Sequence, residues 1–272
     1  MTNCRMKYYR NGAQISVATY DIYGTPDIKY PRHGSTHAPD PERSAEQSRA
    51  RARRAVRDIA LCNDFTHMFT FTFSKSYVDR YSREEIYKKT SNYLRERVRN
   101  EGFKYVCVPE KHEDGAIHLH GLGNFTNVRI TRALNPKTRR VVSKFDKRRR
   151  KWIPVFDCPS WIWGYSHVTA LDDDYGAAVS YITAYISKDF EKIFGKWYLS
   201  ARECIKKPHT VDLPPVPDYD EYVQDLKDSG ADVFEFQCSR YLKICTESVP
   251  YPDRDKFDIE RGVGECSNEL PV

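Results

Sequence analysis

The sequence lacks several patterns that mark common classes of enzyme and membrane protein. None of the eight cysteines forms a Cys-x-x-Cys pair, so we interpret them as free thiols in a reducing compartment rather than as a zinc site. The pattern Gly-x-x-x-x-Gly-Lys-[Ser/Thr] is missing, which argues against a P-loop nucleotide hydrolase. No apolar run reaches membrane-spanning length, residues 1–12 contain no signal-peptide core, and the mean hydropathy is -0.71. We therefore expect a cytoplasmic protein with no membrane partner.

Positive charge is concentrated in the first 211 residues. The chain carries a net charge of +6, whereas residues 212–272 hold fifteen acidic and only six basic residues, which leaves a net charge of +15 for residues 1–211. Two basic runs, 43–57 and 137–151, hold much of this charge, and the second ends in five consecutive cations. Such runs are typical of proteins that contact nucleic-acid phosphates, although a solvated helix face is the alternative interpretation.

Two histidines, His118 and His120, flank one apolar residue in the β-prone segment 116–122. Side chains alternate between the two faces of a strand, so both imidazoles project from one face while Leu119 turns to the other. Two imidazoles on one face can share a metal ion. Taken alone, the pattern also fits half-buried polar residues with no metal.

The segment before these histidines supplies a candidate third ligand. Residues 103–110 have the composition of a strand and residues 111–115 that of a turn, which predicts a hairpin. If the hairpin is symmetric about Glu113, Glu110 lies on the histidine face as a diagonal neighbour of His118. His112 is the alternative ligand if the register slips. Two nitrogen ligands and one oxygen ligand suit Mg2+ or Mn2+ in a nuclease, and zinc is not excluded.

A second candidate group lies in a segment whose acidic start, at Asp172 or Asp173, is typical of a helix N-terminus. On a helix, Tyr181, Tyr185 and Lys188 share one face at i, i+4 and i+7. A phenol is a poor nucleophile because its unperturbed pKa is about 10, and a nearby lysine favours the phenolate. Taken alone, the two tyrosines also fit a packed aromatic pair. The core-facing stripe predicted for this helix is Val179, Ile182 and Ile186.

In combination, these segments resemble the HUH endonucleases, and among them the two-tyrosine rolling-circle replication initiators of small phages and plasmids. Three motifs follow the family's order within residues 58–200: an apolar strand at 69–73, the histidine pair, and the tyrosine group. The strand has Phe-Thr-Phe where the family often has Leu-Thr, so we treat Thr70 and Thr72 as structural.

The resemblance implies a fold and a reaction. The fold is α+β, with a central antiparallel β-sheet and flanking helices of the HUH or ferredoxin-like kind, which the order of elements along the chain also favours. The reaction is metal-dependent nicking and rejoining of single-stranded origin DNA through a 5′-phosphotyrosine, in the cytoplasm of a bacterial host. A host helicase and polymerase would be partners. The implied site residues are His118, His120 and Glu110 for Mg2+ or Mn2+, and Tyr181, Tyr185 and Lys188 for catalysis.

The composition predicts three regions along the chain. Residues 1–57 form an N-terminal extension with a basic helix, residues 58–210 the endonuclease domain, and residues 211–272 an acidic C-terminal region. A basic insertion at 129–152 interrupts the domain, and we place its tip at Asn135. A linker is predicted around the prolines of 208–220.

Two further predictions concern the endonuclease domain. A helix begins after the capping box Ser82-x-x-Glu85 and stops at Gly102. Several aromatic residues accompany or follow the insertion, of which we expect Trp161 and Trp163 in the core. The candidates for stacking on unpaired bases are Trp152, Phe156 and Tyr165.

Two other classes of function stay open. A non-catalytic DNA-binding protein, such as a repressor or packaging factor, would need the basic runs but neither the metal nor the phenols. A zinc-dependent hydrolase would use His118, His120 and Glu110, and the tyrosines would be irrelevant to it.

Overall fold

The structure, a computed structural model, describes residues 4–10, 12–18, 41–147, 150–171, 175–188, 191–236 and 241–246. Its helices are α1 (Pro41–Cys62), α2 (Arg83–Glu101), α3 (Tyr175–Lys188) and α4 (Tyr219–Asp228). Its strands are β1 (Cys4–Tyr9), β2 (Gly12–Ala18), β3 (His67–Thr72), β4 (Tyr105–Lys111), β5 (Ile117–Gly123), β6 (Thr131–Arg132), β7 (Ser143–Asp146), β8 (Lys151–Pro154), β9 (Phe156–Asp157), β10 (Ser166–Ala170), β11 (Leu199–Ser200), β12 (His209–Asp212), β13 (Asp232–Phe236) and β14 (Tyr241–Thr246).

The chain divides into two compact units. The terminal unit comprises Met1–His33 with Pro208–Val272, and the central unit comprises Gly34–Lys207. The boundary near residue 208 falls within the predicted linker. The N-terminal boundary differs from the predicted one, since α1 belongs to the central unit while β1 and β2 form a sheet with the C-terminal strands.

The central unit is built on a seven-stranded sheet with the strand order β11-β4-β5-β3-β10-β9-β6, in which each neighbouring pair is antiparallel. Helices pack on both of its faces, so the predicted α+β class with an antiparallel sheet is confirmed. The strand that carries both histidines, β5, lies between β4 and β3. The predicted histidine strand is therefore internal to the sheet.

The two faces of this sheet bury separate hydrophobic cores. On the α2 face, Phe71 and Leu119 pack with Ile86 and Leu94 of α2. On the α3 face, apolar side chains of β4 and β5 pack against both α1 and α3. Alternation along the strands assigns each residue to one of these faces. Members of the second cluster include Val106, Val108, Leu122, Val56, Ile59, Val179, Ile182 and Ile186.

Helix α2 is closed at both ends as its sequence predicts. The Ser82 hydroxyl accepts a hydrogen bond from the backbone N–H of Glu85, at 3.3 Å. Gly102 has a φ of 63°, in the left-handed region, and its N–H donates to the carbonyl of Val98 at 3.0 Å. Glycine adopts this conformation without steric penalty, which explains why the helix stops here.

Helices α1 and α3 pack against each other and are tied at one point by a tyrosine. The Tyr175 hydroxyl, at the start of α3, lies 2.7 Å from the carbonyl oxygen of Ala60 and 3.1 Å from that of Asn63. The Asn63 side chain is buried and donates to the carbonyl oxygens of Ile59 and Lys206. Basic α1 is thus part of the core packing as well as a charged surface. The proposed caps of α3, Asp172 and Asp173, lie outside the described residues.

The basic insertion contains two consecutive turns. The predicted turn at Asn135 is present, since its Oδ1 accepts from the backbone N–H of Lys137 at 3.0 Å and of Thr138 at 2.9 Å. A longer ribbon follows, in which β7 and β8 pair antiparallel and reverse direction between Asp146 and Lys151. Asn135 is therefore not the tip of the whole insertion.

The terminal unit is a five-stranded antiparallel sheet with the order β12-β1-β2-β14-β13. Helix α4 begins after Asp218, whose carboxylate accepts from the N–H of Glu221 at 3.0 Å. The unit buries a small cluster that includes Cys4, Ile15 and Val223.

Two sequence expectations concern the chain as a whole. Among the described residues, no helix is both long enough and apolar enough to cross a membrane. Every cysteine whose side chain is described is a free thiol, in agreement with the prediction: Cys4, Cys62, Cys107, Cys158 and Cys204.

Candidate active site

The register of the β4–β5 hairpin brings Glu110 directly opposite His118, and Val108 opposite His120. The predicted symmetry about Glu113 is wrong by two residues in the pairing. The hairpin is closed instead by the His112 N–H, which donates to the carbonyl of Ala116 at 2.8 Å. Because side chains repeat every second residue, this shift leaves Glu110 on the histidine face.

His120 is held on both sides of its ring. Its Nδ1 lies 3.1 Å from the hydroxyl of Thr70, which is its partner on β3. Its Nε2 is buried and lies 2.7 Å from Oε2 of Glu110, but this close contact does not have the geometry of a hydrogen bond. When Nδ1 carries the proton and donates to Thr70, the lone pair of Nε2 is free to bind a cation. Thr70 was interpreted as purely structural, and the structure adds this contact to its role.

His118 stands further from this pair. The centroids of the His118 and His120 rings are 6.4 Å apart, and His118 stacks instead on His112 at 5.0 Å. Burial lowers the pKa of His118, and the neighbouring His112 and His120 lower it further. His112, the alternative ligand in the sequence analysis, therefore also lies at the histidine face.

The donor chemistry of this face fits a divalent cation, although the side chains are not gathered around one point. A buried imidazole nitrogen without a hydrogen bond beside a carboxylate is a suitable start for a metal site. Within the part of the chain that the structure describes, no three His, Cys, Asp or Glu side chains stand close enough to hold an ion together. The structure thus brings together His120 and Glu110, and leaves His118 one side-chain movement away.

The two tyrosines of α3 occupy different environments. Tyr185 is only 5% exposed, and its ring stacks on the imidazole of His120 with centroids 4.0 Å apart and planes 6° from parallel. Tyr181 is 46% exposed. The Tyr185 hydroxyl donates a hydrogen bond to the Tyr181 hydroxyl, and the two rings meet edge to face at 5.0 Å. Burial raises the pKa of Tyr185, and the Tyr181 hydroxyl and Glu110 raise it further.

This asymmetry follows from helix geometry. Residues four apart on an α-helix differ by roughly 40° around its axis, because one turn takes 3.6 residues. Tyr185 therefore lies at the margin of the buried stripe, beside Ile182 and Ile186, whereas Tyr181 is turned further toward solvent. The core-facing stripe was predicted as observed. The side chain of Lys188, the third predicted catalytic residue, lies outside the described residues.

A carboxylate that the sequence analysis did not select connects the hairpin with the chain after α3. Glu191 accepts hydrogen bonds from Lys111, the neighbour of Glu110, and from Arg83 at the start of α2. The hydrogen bonds from Lys111 and Arg83 lower the pKa of Glu191 to about 2. No local pattern marks Glu191, because its partners are distant in sequence.

Two rows of side chains continue from the histidines across the sheet. His120 is paired with Thr70, which is paired in turn with His167 of β10. Burial lowers the pKa of His167, and the charge of Lys144 on β7 lowers it further, so the basic ribbon lies near this row. The parallel row runs from His118 through Thr72 to Tyr165, a residue that is 73% exposed.

Comparison with known proteins identifies one similarity. The family model for replication-associated proteins of the ORF2 type matches residues 66–190, a little under half of the chain. The matched stretch includes β3, β4, β5 and α3, and hence every residue predicted for the site. No significant match was found among curated proteins or solved structures. Over this stretch the chain is similar to replication-associated proteins.

Proposed function

We propose that the protein initiates rolling-circle DNA replication by nicking single-stranded origin DNA and forming a 5′-phosphotyrosine. The observation that carries this proposal is the stacking of Tyr185 on His120, with the exposed Tyr181 hydroxyl hydrogen-bonded to Tyr185. Phenols and imidazoles contributed by a helix and a sheet thereby meet on one face. The similarity of residues 66–190 to replication-associated proteins supports the same function.

Tyr181 is the first nucleophile in this proposal, because its hydroxyl is the more accessible of the two. Its oxygen attacks the scissile phosphorus and forms the new P–O bond, while the bond from phosphorus to the 3′ oxygen breaks. The phenolic proton is lost and the leaving oxygen takes up a proton, which yields a free 3′-hydroxyl. The donated hydrogen bond from Tyr185 stabilises the phenolate of Tyr181, since a hydrogen bond to the charged form favours it. Lys188 would add a positive charge near the reacting groups.

A divalent ion, Mg2+ or Mn2+, would be held by His118, His120 and Glu110. Bound there, it would polarise a phosphate oxygen as a Lewis acid. The contribution of the chain itself is orientation: Thr70 fixes the ring of His120, and Glu110 lies against its Nε2.

Tyr185 would act in a later strand transfer that rejoins the displaced strand. Each transfer makes one phosphate ester as it breaks another, so no ATP is consumed. Strand separation and extension of the 3′ end would be supplied by a host helicase and polymerase in the cytoplasm of the bacterial host.

The test uses single-stranded oligonucleotides that tile the origin region of the DNA encoding the protein, incubated with Mn2+ and resolved on a denaturing gel. We expect a protein-linked 5′ product with the wild type and none with Tyr181→Phe or with His118→Ala/His120→Ala. Tyr77→Phe, which changes an exposed tyrosine outside α3, is the matched control and should leave the product unchanged.

Two outcomes would replace the proposal. Origin binding that survives removal of metal and both phenols, without any cleavage, would identify a non-catalytic DNA-binding protein. Cleavage that depends on His118 and His120 but yields no protein-linked product would indicate a metal-activated water. Stoichiometric zinc in the purified protein would then favour the zinc hydrolase.

A further inference from the structure

The β7–β8 ribbon carries an aromatic pair on its surface. Phe145 and Trp152 face each other across the two strands, with ring centroids 5.4 Å apart and planes at 60°. Phe145 is 43% exposed and Trp152 is 68% exposed. The opposite face of the ribbon carries the pair Lys144 and Ile153.

The exposure of this pair is not what packing alone favours. Trp161, by contrast, is buried in the core, where its Nε1–H donates to the carbonyl of Thr72 at 3.0 Å. An aromatic ring gains most when it is removed from water, so a pair kept at the surface indicates a contact with a partner.

The charge of the insertion indicates the chemistry of that partner. Residues 129–152 contain eleven lysines and arginines and one acidic residue, Asp146. Both turns use arginine where the backbone favours glycine: Arg139 has a φ of 57° and Arg150 a φ of 52°. Because left-handed backbone is unfavourable for a residue with a Cβ, positive charge is retained at these turns against local conformational preference. Such charge is complementary to a polyanion.

The ribbon also lies close to the candidate active site. Lys144 of β7 is near His167, and the row from His167 passes through Thr70 to His120. A strand bound at the tyrosines could therefore continue along this row to the ribbon.

We propose that the β7–β8 ribbon is a stacking platform for single-stranded DNA, on which Phe145 and Trp152 contact unpaired bases while the surrounding lysines and arginines contact phosphates. The platform rests on the proposed nicking function for the identity of its ligand. Duplex DNA does not fit this face, because its bases are already stacked on one another, whereas every unpaired base offers a π-face to an aromatic side chain.

The test measures the affinity of two fluorescent oligonucleotides of equal length, one carrying bases and one abasic throughout. The protein is the Tyr181→Phe/Tyr185→Phe variant without added metal, so that binding is separated from cleavage. We expect it to bind the base-carrying strand at least about ten-fold more tightly, given the typical strength of base–aromatic stacking. Adding Phe145→Ala/Trp152→Ala should abolish this preference, and adding Trp152→Phe should retain most of it.

Two matched controls separate stacking from charge. Lys144→Gln/Lys151→Gln should weaken binding of both oligonucleotides equally and reduce its salt dependence. Tyr77→Ala, at an exposed aromatic residue outside the ribbon, should leave the preference for bases intact. Thermal melts of each variant establish that the fold is retained.

Equal affinity of the starting variant for the two oligonucleotides would overturn the platform, as would a preference that survives loss of both rings. Tighter binding of a duplex than of the base-carrying strand would also overturn it. Nicking by the wild-type protein without a preference for bases rejects the platform alone. A preference for bases in a protein that never nicks rejects the proposed enzyme and keeps the platform.

Discussion

The two faces of the central sheet use the same strands for different purposes. On the α2 face, Phe69 and Phe71 of β3 are almost fully buried among other aromatic rings. On the α3 face of the same strand, Thr70 contacts His120 and Thr72 contacts the backbone of Tyr165. One face therefore supplies stability, and the other positions polar groups. Changes on the two faces should consequently have separable effects on folding and activity.

The largest effect is expected for the exposed nucleophile. Tyr181→Phe should abolish the protein-linked product, because no other hydroxyl on the described part of α3 belongs to an equally exposed tyrosine. The measurement is the yield of covalent adduct on a denaturing gel, together with a thermal melt that should match the wild type. Tyr185→Phe should retain a first cut at a reduced rate, since it removes only the hydrogen bond to Tyr181. Equal loss in both single variants would contradict the assigned order.

The opposite face should show a large effect on stability. Phe71→Ala removes a fully buried ring that stacks on Trp161 at 4.5 Å. Truncation of a buried phenylalanine typically costs about 3 to 5 kcal/mol of unfolding free energy. Urea unfolding measures this loss, with Tyr77→Ala as a control at an exposed aromatic residue. A cost below about 1 kcal/mol would mean that this face is not the stabilising one.

A smaller effect is expected where a polar contact orients the histidine. Thr70→Val keeps the shape of the side chain but removes the hydroxyl beside Nδ1 of His120. Loss of such an orienting contact typically weakens metal affinity or activity by about 10-fold to 100-fold. The concentration of Mn2+ needed for half-maximal nicking reports this change, and Thr70→Ser should restore it.

The matched control for Thr70 is Thr72→Val, on the same strand and face. The Thr72 hydroxyl contacts the backbone of Tyr165 rather than a histidine ring. A shift in Mn2+ dependence as large in Thr72→Val as in Thr70→Val would show that the hydroxyl of Thr70 has no specific role.

The smallest effect concerns the dependence of stability on pH. The pKa of Glu191 falls from 4.5 to about 2 in the folded protein, because Lys111 and Arg83 donate hydrogen bonds to the carboxylate. Its contribution to stability is therefore complete above pH 4.5 and is lost as the pH falls toward 2. We expect Glu191→Gln to melt at a slightly lower temperature than the wild type at about pH 6, with the difference disappearing near pH 2. A difference that persists unchanged at the acidic end would assign it to another cause.

Local patterns predicted much of the central unit. The limits of α2 follow from Ser82 and Gly102, and the face of the histidines follows from strand alternation. The hairpin register was wrong by two residues, yet Glu110 stayed on the histidine face, because only an odd shift moves a side chain to the other face.

Contacts between distant segments were not predictable in the same way. Thr70 meets His120 only because β3 pairs with β5, and Glu191 meets Lys111 only after α3 has folded onto the sheet. The unequal exposure of Tyr181 and Tyr185 likewise depends on how α3 is rotated against the sheet. A face can be deduced from periodicity, but its neighbours require the topology.

The composition of the terminal sheet has a consequence for biosynthesis. Strands β1 and β2 are translated first, but their outer partners β12 and β14 come only after the whole central unit. An isolated two-stranded hairpin is marginally stable in water, and its open edges can pair with other chains. A truncated translation product ending before β12 would therefore expose two unpaired strand edges, so the C-terminal segment protects the beginning of the chain from aggregation.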